Sequence, residues 1–136
     1  MTIHVVQLGS RRREREGLRI GTVRRPPRGV PKARHASDDW YDLWFPMLSP
    51  SPELVKEGLA ASTPAQWRSF RRKFFAEMKA PEARRTLDLL AALSHQTNFS
   101  VGCYCESEDR CHRSFLRELL EERGADLVPA DEEEEP

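Results

Sequence analysis

VGCYCESEDRCHRSFLRELLEERG, residues 101–124, holds all three cysteines of the chain and one of its four histidines. Its reading decides the fold. NFSVGCY, residues 98–104, is apolar and rich in strand formers, and the acidic loop ESED follows it. RCHRSFLRELLEERG then repeats its apolar residues at helical spacing and stops at Gly124, a good C-terminal cap. Residues 125–128 could add a last short strand. A strand, a short turn, a helix and a returning strand make a βα unit. Such units build parallel sheets covered by helices.

Upstream, IHVVQL (residues 3–8) and LRIGTV (18–23) read as strands, separated by the charged turn RRREREG (11–17). RRPPRGVPKARHASDD, residues 24–39, should be an ordered irregular loop, because Pro26 and Pro27 stiffen the backbone and hold Arg24, Arg25 and Arg28 in fixed directions. Trp40, Tyr41, Trp44 and Phe45 follow within six residues, as a hydrophobic plug or as the wall of a ligand pocket. Ser51-Pro52-Glu53 starts a short helix ending near Gly58. Thr63-Pro64-Ala65-Gln66 starts a second with a capping box, carrying Trp67, Phe70, Phe74 and Met78 on one stripe and Arg71, Arg72 and Lys73 outside it. Pro81 starts a third. The expected fold is a small single α/β domain over residues 1–128. It has a largely parallel sheet flanked by helices and a C-terminal strand-turn-helix carrying the Cys-His-Arg motif. An acidic disordered tail over residues 129–136 completes the reading.

The totals bound the function. Lys and Arg number 22, as do Asp and Glu, but the balance is graded along the chain. Residues 1–35 carry ten bases against two acids, and residues 101–136 carry four against twelve. The basic third could meet phosphate, nucleic acid or the chain's own acids. No apolar run approaches a membrane span, and the N-terminus lacks the pattern of a signal peptide. With an odd number of cysteines and no disulfide framework, a cytoplasmic protein with reduced thiols is expected.

Cys103, Cys105, Cys111 and His112 stand in the order C-x-C-x5-C-H. In open α/β folds ligands sit beyond the carboxyl ends of the strands, which is where this segment falls. Three readings are open. A Cys3His metal site has the right donors, but adjacent Cys111 and His112 would point about 100° apart on a helix. A reactive thiol is best placed at Cys111, where the start of the helix, His112 as base and Arg113 as anion contact support a thiolate. Against an anion in the preceding loop stand Glu106, Glu108 and Asp109, of which Asp109 suits the helix cap. The third reading is a buried structural turn, with Cys111, Phe115 and Leu119 on one helical row and Cys103 beside Val101 on the strand.

CYCESEDRCHRSFLRELLEERGA resembles the C-terminal signature of the domain-of-unknown-function 488 family. VRRPPRGVPK, DLWFPMLSPSPEL and the W-x2-F-x3-F pattern of residues 67–74 resemble its YeaO-like branch. The likeness runs from about residue 18 to residue 128. It implies a small intracellular α/β domain of bacterial or archaeal type, and it matches Arg25, Arg28, Cys103, Cys111, His112 and Arg113 to the family pattern. The branch often carries Asp-Arg-x-Trp-Pro-Arg-Gly where this chain has Val23 to Gly29, so the aspartate and the tryptophan are missing here.

The expectation is a ligand-binding protein or enzyme with a pocket for an anion, phosphate or nucleotide-like. Cys111, His112 and Cys103 would be the chemical residues, and Arg25, Arg28, Arg113 and Trp44 would hold the ligand. A metal-binding or redox-sensing cysteine module, and a nucleic-acid binder using the basic third, are the alternatives. No cofactor, reaction or oligomeric state follows from the residues alone.

Overall fold

The computed structural model describes residues 1–130 of the 136. Four strands form one sheet: β1 (Ile3–Gln7), β2 (Leu18–Gly21), β3 (Leu43–Trp44) and β4 (Phe99–Cys103), in the order β1-β4-β2-β3. Every pairing is parallel. The last strand in sequence therefore lies between the first two, and all five of its residues are buried, as a central parallel strand requires. The strand expected at residues 125–128 is reduced to one parallel bridge between Ile3 and Leu127 at the β1 edge. β3 was not foreseen. Its two residues lie inside the aromatic run and leave no room for an alternating pattern.

The helices are α1 (Pro52–Ala60), α2 (Pro64–Glu77), α3 (Pro81–Leu93) and α4 (His112–Glu122). Their starts follow the capping chemistry. Ser51 Oγ accepts from the Leu54 N–H, and Thr63 and Gln66 form a full capping box. α1 runs past Gly58, which serves a contact instead of a stop: a Cβ there would lie 2.7 Å from Phe70 Cε1. Asp109 does not cap α4. It sits in a short 3-10 turn, Glu108–Arg110, and Cys111 takes the N-cap position.

All four helices join one apolar core with Ile3, Val5, Ile20, Phe99 and Val101 of the sheet. Phe74 and Leu87 are completely buried in it. Each such side chain contributes about 1.5–3 kcal/mol through its removal from water. Alternate residues on the strands meet a different environment. Arg19 and Ser100 are buried with Glu16, whose carboxylate takes Arg19 Nε at 2.6 Å and Ser100 Oγ at 2.8 Å. No helix among the described residues is long and apolar enough to cross a membrane. The acidic tail expected from residue 129 lies, from residue 131 on, outside the described residues.

Candidate functional site at the carboxyl ends of the strands

β4 ends at Cys103, β2 leads into the arginine loop, and β1 leads into Leu8 and Gly9. Between these ends and helices α1 and α2 lies a groove of about 1410 Å³. Five cations line it: Arg24, Arg25, Arg28, Lys56 and Arg110. Trp40, Trp44, Trp67 and Tyr104 supply aromatic wall, and all three cysteines and His112 reach it. Among the described residues no aspartate or glutamate does.

The loop is built to hold its arginines outward. Arg24 donates to the carbonyls of Pro50 (3.0 Å) and Ser49 (3.1 Å), tying the loop to the segment before α1. Arg25 and Arg28 are exposed, and their guanidinium groups make no hydrogen bond or ion pair with the described residues. Trp44 donates its indole N–H to the Val23 carbonyl at 2.8 Å, which fixes its half-exposed ring at the groove edge.

The cysteines converge. Cys103 Sγ lies 3.9 Å from Cys105 Sγ, and Cys111 Sγ lies 3.8 Å from His112 Nδ1. The donor atoms of Cys103, Cys111 and His112 all fall within 4.8 Å of one another. The divergence expected of adjacent Cys111 and His112 does not occur, and the reason is local. Cys111 is the N-cap, with extended backbone (φ −136°, ψ 151°), so helical spacing does not apply to it. Cys111 also leaves the helix row: it packs with Leu8, Val23, Tyr41 and Cys103 in a second small cluster, while Phe115 and Leu119 belong to the main core.

His112 is buried, and its Nε2 lies 2.8 Å from the Thr22 carbonyl. A carbonyl only accepts, so Nε2 carries the proton and Nδ1 turns a lone pair toward Cys111. Burial pushes the imidazole down to about 4, against the hydrogen bond to Thr22, so it is neutral at pH 7. The three thiols are shifted in different directions. Hydrogen bonds to Cys105 and Cys111, then burial, push Cys103 far up. Hydrogen bonds from Cys103 and Cys105 draw Cys111 well below the usual thiol value despite burial, helped by the Arg113 charge. The bond with Cys103 lowers Cys105, but Cys111 and burial outweigh it and its thiol is raised. Of the three thiols, Cys111 is the one drawn downward. A sulfur cluster with an ionisable member beside a neutral imidazole has two chemical uses: nucleophilic attack by the thiolate, or ligation of a soft cation.

Arg25, Arg28, Trp44, Cys103, Cys111 and His112 thus line one groove. Arg113 does not. It is buried and donates Nη2 to the Cys105 carbonyl at 2.6 Å, so it holds the cysteine loop in place. The acidic loop also turns elsewhere. Glu106, Glu108 and Asp109 line a separate cavity, and Glu108 pairs with Arg117 at 2.7 Å. The objection that three carboxylates would repel an anion is removed by this geometry.

The model of the active DUF488-N3 subclade matches residues 3–124, which takes in the arginine loop and the Cys-His-Arg turn. The chain belongs to the DUF488 family. The subclade match does not bear on the YeaO-like branch. No curated protein and no solved structure matches the chain. Within this DUF488 chain, sequence reasoning missed Lys56 and Trp67 as groove residues. Trp67 was legible as a core residue, and half of that is right: it packs on Phe70 and Phe115 at 5.1 and 5.2 Å between ring centroids. Arg110 lies 5.8 Å over the Trp67 ring.

Proposed function

We propose that this chain binds a small anionic, nucleotide-like ligand in the groove, with its reactive end against Cys103, Cys111 and His112. The observation that carries the reading is the lining: five cations, no carboxylate among the described residues, and an aromatic wall. Charge of one sign in a concave, partly apolar site attracts and desolvates an anion, and arginine forks match phosphate oxygens. Arg25 and Arg28 have no internal partner among the described residues to give up, so ligand contacts would cost no existing bond. Trp44, with its ring fixed by the Val23 carbonyl, is placed to stack on a base. The position at the carboxyl ends of parallel strands is where α/β folds keep their ligands.

The test is titration calorimetry of inorganic phosphate and of nucleoside monophosphates against the wild-type chain and three variants. Arg25→Ala and Arg28→Ala should each weaken both ligands by about ten-fold or more, the loss of one charge-assisted contact. Trp44→Ala should weaken the nucleotides and leave phosphate unchanged. Binding unaffected by either arginine removes the proposal. Binding only to long DNA or RNA, falling steeply with salt, would instead make the basic surface a nucleic-acid contact.

A further inference from the structure

We infer that Cys103, Cys105, Cys111 and His112 form a binding site for one soft divalent cation of the zinc class at the floor of the groove. The inference rests on donor geometry and does not depend on the ligand proposed for the groove.

Zinc binds thiolate at about 2.3 Å and imidazole at about 2.0–2.1 Å in a tetrahedron. Opposite edges of such a tetrahedron would measure about 3.8 Å between two sulfurs and about 3.6 Å between sulfur and nitrogen, by the same bond lengths. The Cys103–Cys105 separation of 3.9 Å and the Cys111–His112 separation of 3.8 Å lie close to these edges. The donors of Cys103, Cys111 and His112 lie within 4.8 Å of one another, a compact three-donor set, and Cys105 adjoins that set through Cys103 without belonging to it. A turn of the Cys105 side chain toward the other three donors would supply the fourth ligand of a tetrahedron.

The imidazole is already set for ligation. Its Nε2–H is held by the Thr22 carbonyl, so the free lone pair is on Nδ1, the atom beside Cys111 Sγ. A hydrogen bond from the far ring nitrogen to a carbonyl is the arrangement that orients metal-bound histidines. Arg113 fixes the loop that carries Cys105, and the extended N-cap backbone of Cys111 brings its sulfur beside His112. The donor set names the ion class. Thiolates with one imidazole and no carboxylate select zinc or a similarly soft ion over magnesium or calcium. Three thiolates around a divalent ion leave one net negative charge, and Arg113 beside the cluster balances it.

The decisive experiment uses the full chain purified under reducing conditions without chelator, then stripped and reloaded. Native mass should show one zinc per chain. All three thiols should resist alkylation until chelator is added. Cobalt(II) loaded in place of zinc should give the strong visible absorption of a tetrahedral site with sulfur-to-metal charge transfer. Cys105→Ser should lose part of that charge transfer, and His112→Ala should weaken binding while leaving the charge-transfer bands. These read the donor set on wild type first, so a variant that fails to fold does not decide the matter. The inference is overturned if no stoichiometric metal binds, if thiol reactivity is the same with and without zinc, or if bound cobalt is octahedral. Phosphate and nucleotide titration of the stripped chain keeps the two proposals apart: anion binding can fail with metal binding intact, and the reverse.

Discussion

The two faces of the sheet are held by opposite kinds of force. One face carries Ile3, Val5, Ile20, Phe99 and Val101 against four helices, and is apolar throughout. The other carries Arg19 and Ser100 against Glu16, with Arg19 Nη1 also donating to the carbonyls of Ser10 and Asp39. Asp42 takes the Arg19 backbone N–H at 2.8 Å and pairs with Arg12, extending the network into the loop that leads to β3. The helical face tolerates graded loss, because apolar packing is distributed over many contacts. The ionic face has few partners, each of them directional, and a missing one leaves a charge in a dry place. The groove opens at the carboxyl ends of the strands, beside the segments that carry both.

The largest effect should come from breaking the ionic face. Arg19→Met removes a completely buried guanidinium that makes paired hydrogen bonds to Glu16 at 2.6 and 3.0 Å. Stability measured by denaturant should fall by about 3–5 kcal/mol, since the Glu16 carboxylate is left buried without its partner. The double variant Glu16→Gln/Arg19→Met should recover part of that loss. A double variant no better than the single would mean that the bonds from Arg19 to the Ser10 and Asp39 carbonyls, and not the ion pair, hold this face.

Leu87→Ala probes the helical face. Leu87 is completely buried in the main core, and its removal should cost about 2–5 kcal/mol according to how far α3 can close the cavity. Combined with Arg19→Met, the losses should add, because the two side chains sit in different clusters and share no partner. Strong non-additivity would show that the faces are coupled through the sheet.

The same contrast explains what could be read from the residues alone. The helical face was legible because its signals are periodic and local. Ser51, Thr63 and Pro81 mark the helix starts, and Phe70, Phe74 and Met78 fall on one stripe that the fold buries. The ionic face was not, because nothing in LRIG distinguishes an arginine that points to water from one buried at 0% exposure. That depends on Ser100, 81 positions later, lying beside Arg19 in register. β3 escaped notice for the same reason, since two residues become a strand only by pairing with Ile20 and Gly21. At the site, the Cys-His-Arg motif and the arginine loop were both visible; Cys111 and His112 meet Arg25 and Arg28 in one groove, while Arg113, expected there as well, turns to the Cys105 carbonyl. The convergence of Cys111 with His112 was hidden by the assumption of helical spacing. It needed the extended backbone at Cys111, which only the fold supplies.

The smallest expected effect, and the finest test of the contrast, is the response to acid. Burial alone would raise the Glu16 carboxyl, but hydrogen bonds from Arg19, the Arg13 N–H and Ser100 outweigh it and hold it below the ordinary glutamate value of 4.5. Asp42 is lowered in the same way, where the bonds from Arg12 and the Arg19 N–H outweigh burial. A carboxyl whose folded value is depressed stabilises the fold above its unfolded value, and loses that contribution as pH falls through the folded one. Denaturant stability of the wild-type chain should therefore decline below about pH 4.5, the window set by the ordinary carboxylate range. Leu87→Ala should lie below wild type by a nearly constant offset across that range, because its loss is apolar. Glu16→Gln/Arg19→Met should show a shallower decline, with Asp42 supplying much of what remains of the slope on this face. An equally steep decline in the double variant would place the acid-sensitive groups outside the Glu16 network and leave the ionic face without its distinguishing property.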